Sequence, residues 1–223
     1  MIVLLIDVVV AHPGYLERYR DELSSPGLRI PLTISSELFF RAVEVGRKVI
    51  WLHTFGESFA DPDAGRPAGP PRAPAPQRPR VLDTIPDTES QMPDSIDFDA
   101  ATNSLHIGAG RIGPVAKAVW EYEVSGYPVL RRWFGRRKRQ PEGRRSSPLD
   151  HVTAHSWNPV WTSELLDVIN VLTLLVGHEP EQALLLEEIA SGTVVTFPSL
   201  RASGVLPHQT RVLPERPPRQ SGL

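Results

Sequence analysis

The sequence predicts a mixed α/β fold of the α+β kind, with a helical segment leading into a hairpin-bearing core packed by further helices. Three observations carry this reading. Apolar residues recur at helical spacing over 37–54, behind a serine able to cap the first turn, and again over 163–176 and 180–190. Residues 95–99 and 104–107 alternate around the turn-forming Ala101-Thr102-Asn103, the pattern of a β-hairpin. Between these regions, residues 61–80 carry seven prolines and little to bury, which reads as a linker or exposed loop of polyproline character. The expected organisation is a helical connector over 1–56, a proline-rich linker or loop over 57–80, a core over 81–197 and a flexible tail over 198–223.

Taken in order, Met1–Ala11 is an apolar run interrupted by Asp7 and ended by His12-Pro13. It lacks a basic lead-in and falls short of the roughly 20 residues that span a bilayer, so it reads as a buried helix or strand. Pro13 suits the first turn of a helix, and Tyr15, Leu16, Tyr19 and Leu23 follow at helical spacing. Residues 24–34 are turn-rich. Ser35 or Ser36 then caps a helix that places Leu38, Ala42, Val45, Val49 and Leu52 near one face, and Gly56 ends it. Its stripe is widened by Phe39, Phe40, Ile50 and Trp51, so the helix is expected to pack on two sides.

Val81–Ile85 reads as a strand ahead of the hairpin, and helices are expected from about Pro114 and over 128–136. Leu165, Leu166, Ile169, Leu172 and Val176 define one inward face, and Leu184, Leu185 and Ile189 another. Thr193–Phe197 reads as a last strand.

Composition removes several classes of chemistry. The chain has 223 residues, 40% hydrophobic, with 23 prolines, 16 glycines and no cysteine. Absence of cysteine excludes disulfides, thiol catalysis and thiolate-bound metals, and it fits a cytoplasmic protein. No apolar run is long enough to predict a membrane partner.

Gly108-Ala109-Gly110-Arg111-Ile112-Gly113 matches a GxGxxG phosphate turn, but Pro114 follows directly and no second parallel strand is evident, so the glycines are read as permitting a tight turn. Asn158-Pro159-Val160-Trp161 only partly resembles the Asn-Pro-Pro-aromatic motif that holds a flipped base in amino-methyltransferases. It is read as the lead-in to a helix, with Trp157 and Trp161 packing. His151 and His155 stand four apart without a ligand set around them, and His53, in a very apolar helix, is read as a core or interface histidine. No catalytic, cofactor-binding or metal-binding residue is assigned, and no enzyme activity is expected of the chain by itself.

The basic segment stands apart. Arg131, Arg132, Arg136, Arg137, Lys138, Arg139, Arg144 and Arg145 put eight of the 24 Lys and Arg into fifteen residues against a single acid, Glu142, in a chain of net charge −2. Such a cluster repels itself unless an anion faces it, and arginines beside Tyr122, Tyr127, Trp133 and Phe134 suit a nucleic-acid backbone. Ser146 and Ser147 add hydroxyls able to meet backbone oxygens, and Arg111 is a further candidate placed by the glycine turn. Against this stands a solvated arginine-rich loop, or an acidic protein or membrane surface as the partner.

The blocks VWEYEVSGYPVLRRWFGRRKR, RRSSPLDHVTAHSW and WTSELLDVINVL resemble the C-terminal specificity domain of type ISP restriction-modification enzymes. Upstream, AHPGYLERYRDEL, RIPLT and ELFFRAVEVGRKVIWLHTFGESF resemble the segment that joins that domain to the methyltransferase. The similarity runs over roughly residues 5–192, broken by the proline-rich stretch. It implies a family that couples a nuclease, an ATP-driven translocase, an adenine methyltransferase and a target-recognition domain, of which this chain has the last and its connector. The motifs for methyl-donor binding, base methylation, ATP hydrolysis and DNA cleavage are missing, so what the resemblance implies is a role: reading a double-stranded DNA target and presenting it to a separately encoded methyltransferase/translocase-nuclease subunit. It implies Gly126, Tyr127, Val129, Leu130 and Trp133 as scaffold around the reading surface. The start at Met1 fits a chain cut from a longer ancestor, or a split gene. The alternative is a structural adaptor or truncated remnant that docks on such a partner through the Leu38–Trp51 surface without specific DNA binding.

Overall fold

The computed structural model describes residues 13–23, 30–124, 126–139 and 154–205. Pro13 opens α1 (Pro13–Arg18), where its missing N–H costs no helical hydrogen bond, and α2 (Arg20–Leu23) follows after one residue. Tyr15 is fully buried, its ring 4.8 Å from that of Tyr19. The apolar run before Pro13 lies outside the described residues.

Ser35 starts α3 (Ser36–His53), its Oγ accepting from the Leu38 N–H at 3.3 Å, with Glu37 in the first turn to complement the helix dipole. Two sides of α3 are used, as the wide apolar stripe predicts. Trp51 and Leu52 enter one core, while Ala42, Val45 and Val49 enter another. His53 is an exception: it lies on the exposed side of the last turn rather than in a core. The chain reverses at Gly56, where φ is +85° and a Cβ would stand 2.0 Å from the Gly69 carbonyl oxygen. Only glycine meets both demands.

The Gly69 approach belongs to the proline-rich stretch, which is a strap tied down along its length. Trp51 Nε1 donates to the Pro67 carbonyl at 3.0 Å. The Ala73 N–H donates to Asn170 Oδ1 at 2.8 Å, and Arg72 pairs with Asp167 at 2.7 Å. Arg66 is buried, donating through Nε to the Phe59 carbonyl at 3.0 Å with Asp61 beside it at 3.4 Å. Proline-rich sequence lacks the N–H groups for regular structure but has stiff apolar rings and free carbonyls. Pro71, Ala73 and Pro79 are buried here.

The strap leads into an antiparallel sheet of β1 (Arg80–Asp83), β2 (Ile96–Asp99), β3 (Ser104–Ile107) and β4 (Gly110–Gly113), in spatial order β1-β4-β3-β2. The predicted hairpin is β2–β3, with Phe98 opposite Leu105. At its turn the Asp99 carboxylate accepts from Thr102 Oγ1 and the Ala101 N–H, and these bonds, that from Thr102 first, hold its carboxyl below the usual range. The GxGxxG stretch is the β3–β4 turn and strand β4, as the turn reading expects. A Cβ on Gly110 would meet Ile85 Cγ1 at 2.4 Å, so that glycine serves close packing. Ile85 itself is buried core beyond the end of β1.

A short α4 (Lys117–Trp120) follows, then a two-stranded hairpin of β5 (Glu123–Val124) and β6 (Tyr127–Pro128), and α5 (Val129–Gly135). The largest element is α6 (Pro159–Ser191), capped by Asn158 with proline in its first turn. At 33 residues it is about 50 Å long. The sequence suggests two helices here, broken before Pro180; the structure joins them. An internal proline costs about 3 kcal/mol, and burial at both ends outweighs it. Leu165, Ile169, Leu172 and Leu175 sit in the core with the sheet, Trp120, Leu130, Phe134 and Trp157, whereas Leu185, Leu186 and Ile189 pack against Tyr15 and α3. Each fully buried leucine or isoleucine contributes roughly 1.5–3 kcal/mol. By length and composition alone α6 would also cross a bilayer, but most of its apolar residues pack in or against these two cores, Val160 and Leu184 being exposed.

In place of a last strand the chain makes a single bridge, Thr33 to Val194, and then α7 (Phe197–Ala202) behind a Thr196–Ser199 capping box. One partner segment of this length supports a bridge, and the capping residues favour the helix.

Two expectations test this packing. Asn170→Ala leaves the buried Ala73 N–H without an acceptor and should lower unfolding stability in urea by about 1–3 kcal/mol, with faster tryptic cleavage after Arg72 in the loosened strap. His178 in α6 lies near Glu181 and Lys48, and burial first, then the Lys48 charge, pushes its pKa below the ordinary 6.5. Protonation is thus less favourable in the folded than in the unfolded chain, so His178 contributes stability above that value and withdraws it as pH falls through and below it. The thermal midpoint should drop on acidification across that range, and His178→Gln should flatten that part of the profile.

Candidate nucleic-acid interface

The basic face is built on α5, and its anchors come from the sequence spacing. Leu130 and Phe134, four residues apart, are buried on one side against Trp157 and α6. Residues between and beyond them must then face outward, and Arg131, Arg132, Arg136 and Arg139 are exposed. Arg137 and Lys138 are half-buried. The C-terminal end of the cluster is tethered, since the Arg139 N–H donates to the Pro93 carbonyl at 2.8 Å.

Aromatic rings organise these cations more than carboxylates do. The Arg131 guanidinium lies 4.5 Å over the Trp120 ring, which is itself stacked on Phe98 at 6.2 Å. Arg132 lies 4.2 Å over the ring of Tyr127 on β6. Arg137 lies 4.0 Å over Trp133 and also donates to Glu164 Oε2 at 3.0 Å and to the Trp133 carbonyl at 3.2 Å. Stacking attracts a guanidinium to the ring face while leaving its in-plane N–H groups available to an acceptor. Arg137 has its two terminal nitrogens engaged and ties the end of α5 to α6, whereas Arg131, Arg132, Arg136 and Arg139 are exposed.

Between the β5–β6 hairpin and α5 runs a shallow groove of about 360 Å³, lined by Val124, Tyr127, Val129, Trp133 and the arginines Arg132, Arg136 and Arg137. Val124 and Tyr127 are more than half exposed at its rim. Gly126, with φ +76°, makes the hairpin turn. The groove thus joins an apolar rim to a cationic wall, suited to a flat, polyanionic ligand.

The remaining sequence candidates are dispersed. Arg111 is on β4, opposite Asp83 on β1, and pairs with it at 2.8 Å. Arg144, Arg145, Ser146 and Ser147 lie outside the described residues. Asn158 serves as the cap of α6, its Oδ1 accepting from the Val160 N–H at 3.0 Å, and Trp157 and Trp161 pack edge to face at 5.4 Å. His155 is 3.9 Å from Glu89 on an open surface, and no group of three acidic, histidine or cysteine side chains among the described residues is placed to hold a metal. What sequence reading missed is the partnership of Arg137 with Glu164, which joins the turn after α5 to α6 and leaves no local signal.

Comparison with known proteins bears directly on this arrangement. The structure resembles that of a nuclease-deletion mutant of the Type ISP restriction-modification enzyme LlaGI in complex with a DNA substrate mimic, with a TM-score of 0.52 and 16% identity over 87% of this chain and 16% of that one. It also resembles the DrdV–DNA complex determined by cryo-electron microscopy, with a TM-score of 0.55 and 19% identity over 86% of this chain and 18% of the other. At such identities the likeness is one of fold, and the chain spans less than a fifth of either structure's length. No curated protein matches it. The profile of the Type ISP C-terminal specificity domain matches residues 6–168, most of the chain and the whole of the described basic face. With a match over most of its length, the chain belongs to the Type ISP C-terminal specificity domain family.

Proposed function

We propose that this chain is a recognition module for double-stranded DNA, non-catalytic by itself, which reads a target and presents it to a methyltransferase/translocase-nuclease partner. The observation that carries the reading is the exposed arginine face of α5 within a specificity-domain fold. Arg131, Arg132, Arg136 and Arg139 are exposed on one short helix and its C-terminal extension, and clustered cations of this kind suit the phosphates of a duplex. Arg131, Arg132, Arg136, Lys138 and Arg139 are its contacts, joined by Arg144, Arg145, Ser146 and Ser147 further along the chain. Arg111, paired with Asp83, is a secondary contact from the sheet. Arg137 supports this face by fixing α5 to α6 and touches DNA less than its neighbours, because Glu164 already neutralises it.

A second reading, an adaptor that docks on a partner without specific DNA binding, is favoured by one observation. Phe40 on α3 is 55% exposed and rims a groove of about 420 Å³ with Glu37, Arg41, Glu181 and Leu185. In that case Phe40→Ser would abolish partner binding while the arginines would be dispensable.

The deciding experiment is selection of the full chain against randomised duplex DNA at two salt concentrations. One enriched asymmetric motif is expected. The variant carrying Arg136→Gln, Lys138→Gln and Arg139→Gln should bind more weakly, and its log-affinity against log-salt slope should be shallower by about one unit for each phosphate that is no longer neutralised. Unchanged affinity and slope in a folded variant would overturn the reading. Arg137→Gln should instead lower unfolding stability by about 1 kcal/mol and leave the salt slope nearly unchanged.

A further inference from the structure

The arginines of α5 are not equivalent, and their surroundings separate them by role. Arg137 is held by Glu164 and the Trp133 carbonyl. Arg131 rests on Trp120, a ring only 8% exposed and set against Phe98 in the sheet-side core. Arg132 and Arg136, one helical turn apart, both line the groove beside the β5–β6 hairpin. Of these two, Arg132 has a ring under its guanidinium, that of Tyr127, which is itself 57% exposed at the groove rim.

Building on the DNA-recognition reading, we infer that Arg132, seated on Tyr127, is a base-reading residue whose ligand is the major-groove edge of a guanine, while Arg136 contacts phosphate. The chemistry follows from the geometry. Two parallel hydrogen bonds to guanine O6 and N7 require a planar fork held in place, and a guanidinium seated 4.2 Å over a tyrosine ring is restrained at that face before DNA arrives. A phosphate contact makes no such demand, since a point charge in any of several rotamers serves it. Arg136 has no ring partner among the described residues and suits that role. The hairpin adds the depth that a helix face lacks. Its exposed Tyr127 and Val124 project beside Arg132, so that the stacked pair stands at an edge able to enter a groove about 12 Å wide.

The test applies the same selection to the full chain and to Arg132→Lys, Arg136→Gln and Tyr127→Ser, each checked for a native near-ultraviolet spectrum. All three positions are at the surface. Arg132→Lys keeps the charge and loses the fork. It should cut the preference for guanine at one position of the motif by about tenfold or more, with the other positions and the salt slope unchanged. Tyr127→Ser should weaken the same preference with Arg132 still present. Arg136→Gln should leave every preference intact and lower the salt slope by about one unit. If Arg132→Lys keeps the full guanine preference, or loses affinity evenly at all positions, the inference is overturned while DNA recognition stands. If the unaltered chain enriches no motif, the recognition reading fails and the inference falls with it.

Discussion

The burial of one long helix in two separate cores is the constraint on which the rest depends. The first half of α6 fills the space beneath the sheet and α5, and its second half pairs with α3 and Tyr15. Neither core would hold its surroundings alone, because the sheet strands are four residues each and the hairpin strands two. The helix runs through Pro180 because interrupting it would separate the two cores, at a cost in buried apolar area larger than one missing hydrogen bond. The strap works on the same helix. Asn170, buried in α6, accepts from the Ala73 N–H on Oδ1 and donates through Nδ2 to the Leu166 carbonyl, so a polar side chain in an apolar interior is satisfied while it holds a segment with no regular structure.

The basic face depends on this frame in an electrostatic sense. Six cations over residues 131–139 would repel one another on a mobile loop and spread apart. Here a short helix pinned by Leu130 and Phe134 fixes their backbone, and Trp120, Tyr127 and Trp133 offer three ring faces to three of the guanidinium groups. Rings attract cations without neutralising them, which leaves a positive surface with ordered side chains. A carboxylate appears only at Arg137, where the task is to join helices. Order without neutralisation is what separates this face from a salt-bridged stability network.

Part of this was legible before any coordinates. The serine-capped helix, the β2–β3 hairpin, the helix after Pro128 and the tight turn at Gly108-Ala109 follow from short-range rules, since capping, alternation and turn chemistry act within a few residues. The density of arginine beside aromatics pointed to the same helix that carries the groove. Less local features were misjudged for a common reason. The proline-rich stretch looks empty of buried groups because its carbonyls and rings find partners only across the chain, at Trp51 and Asn170. His53 has an apolar neighbourhood in sequence but sits on an exposed side of its helix. Pro180 is a local breaker whose effect is outweighed by packing against residues more than a hundred positions away in the chain.

By itself, then, the sequence determined the fold class, the helical and hairpin segments and the charged stretch, because periodicity, caps and composition are properties of neighbouring residues. Tertiary structure alone decided that α6 is continuous, that the strap is fastened and that Gly110 is required by Ile85. It also assigned the arginines their different surroundings: Arg111 to Asp83, Arg137 to Glu164, Arg131 to Trp120 and Arg132 to Tyr127. Eight similar side chains in fifteen residues look alike in one dimension. Arg131, Arg132 and Arg137 are told apart by which ring or carboxylate the folded chain brings within about 5 Å, where electrostatic and stacking interactions become strong enough to orient a side chain.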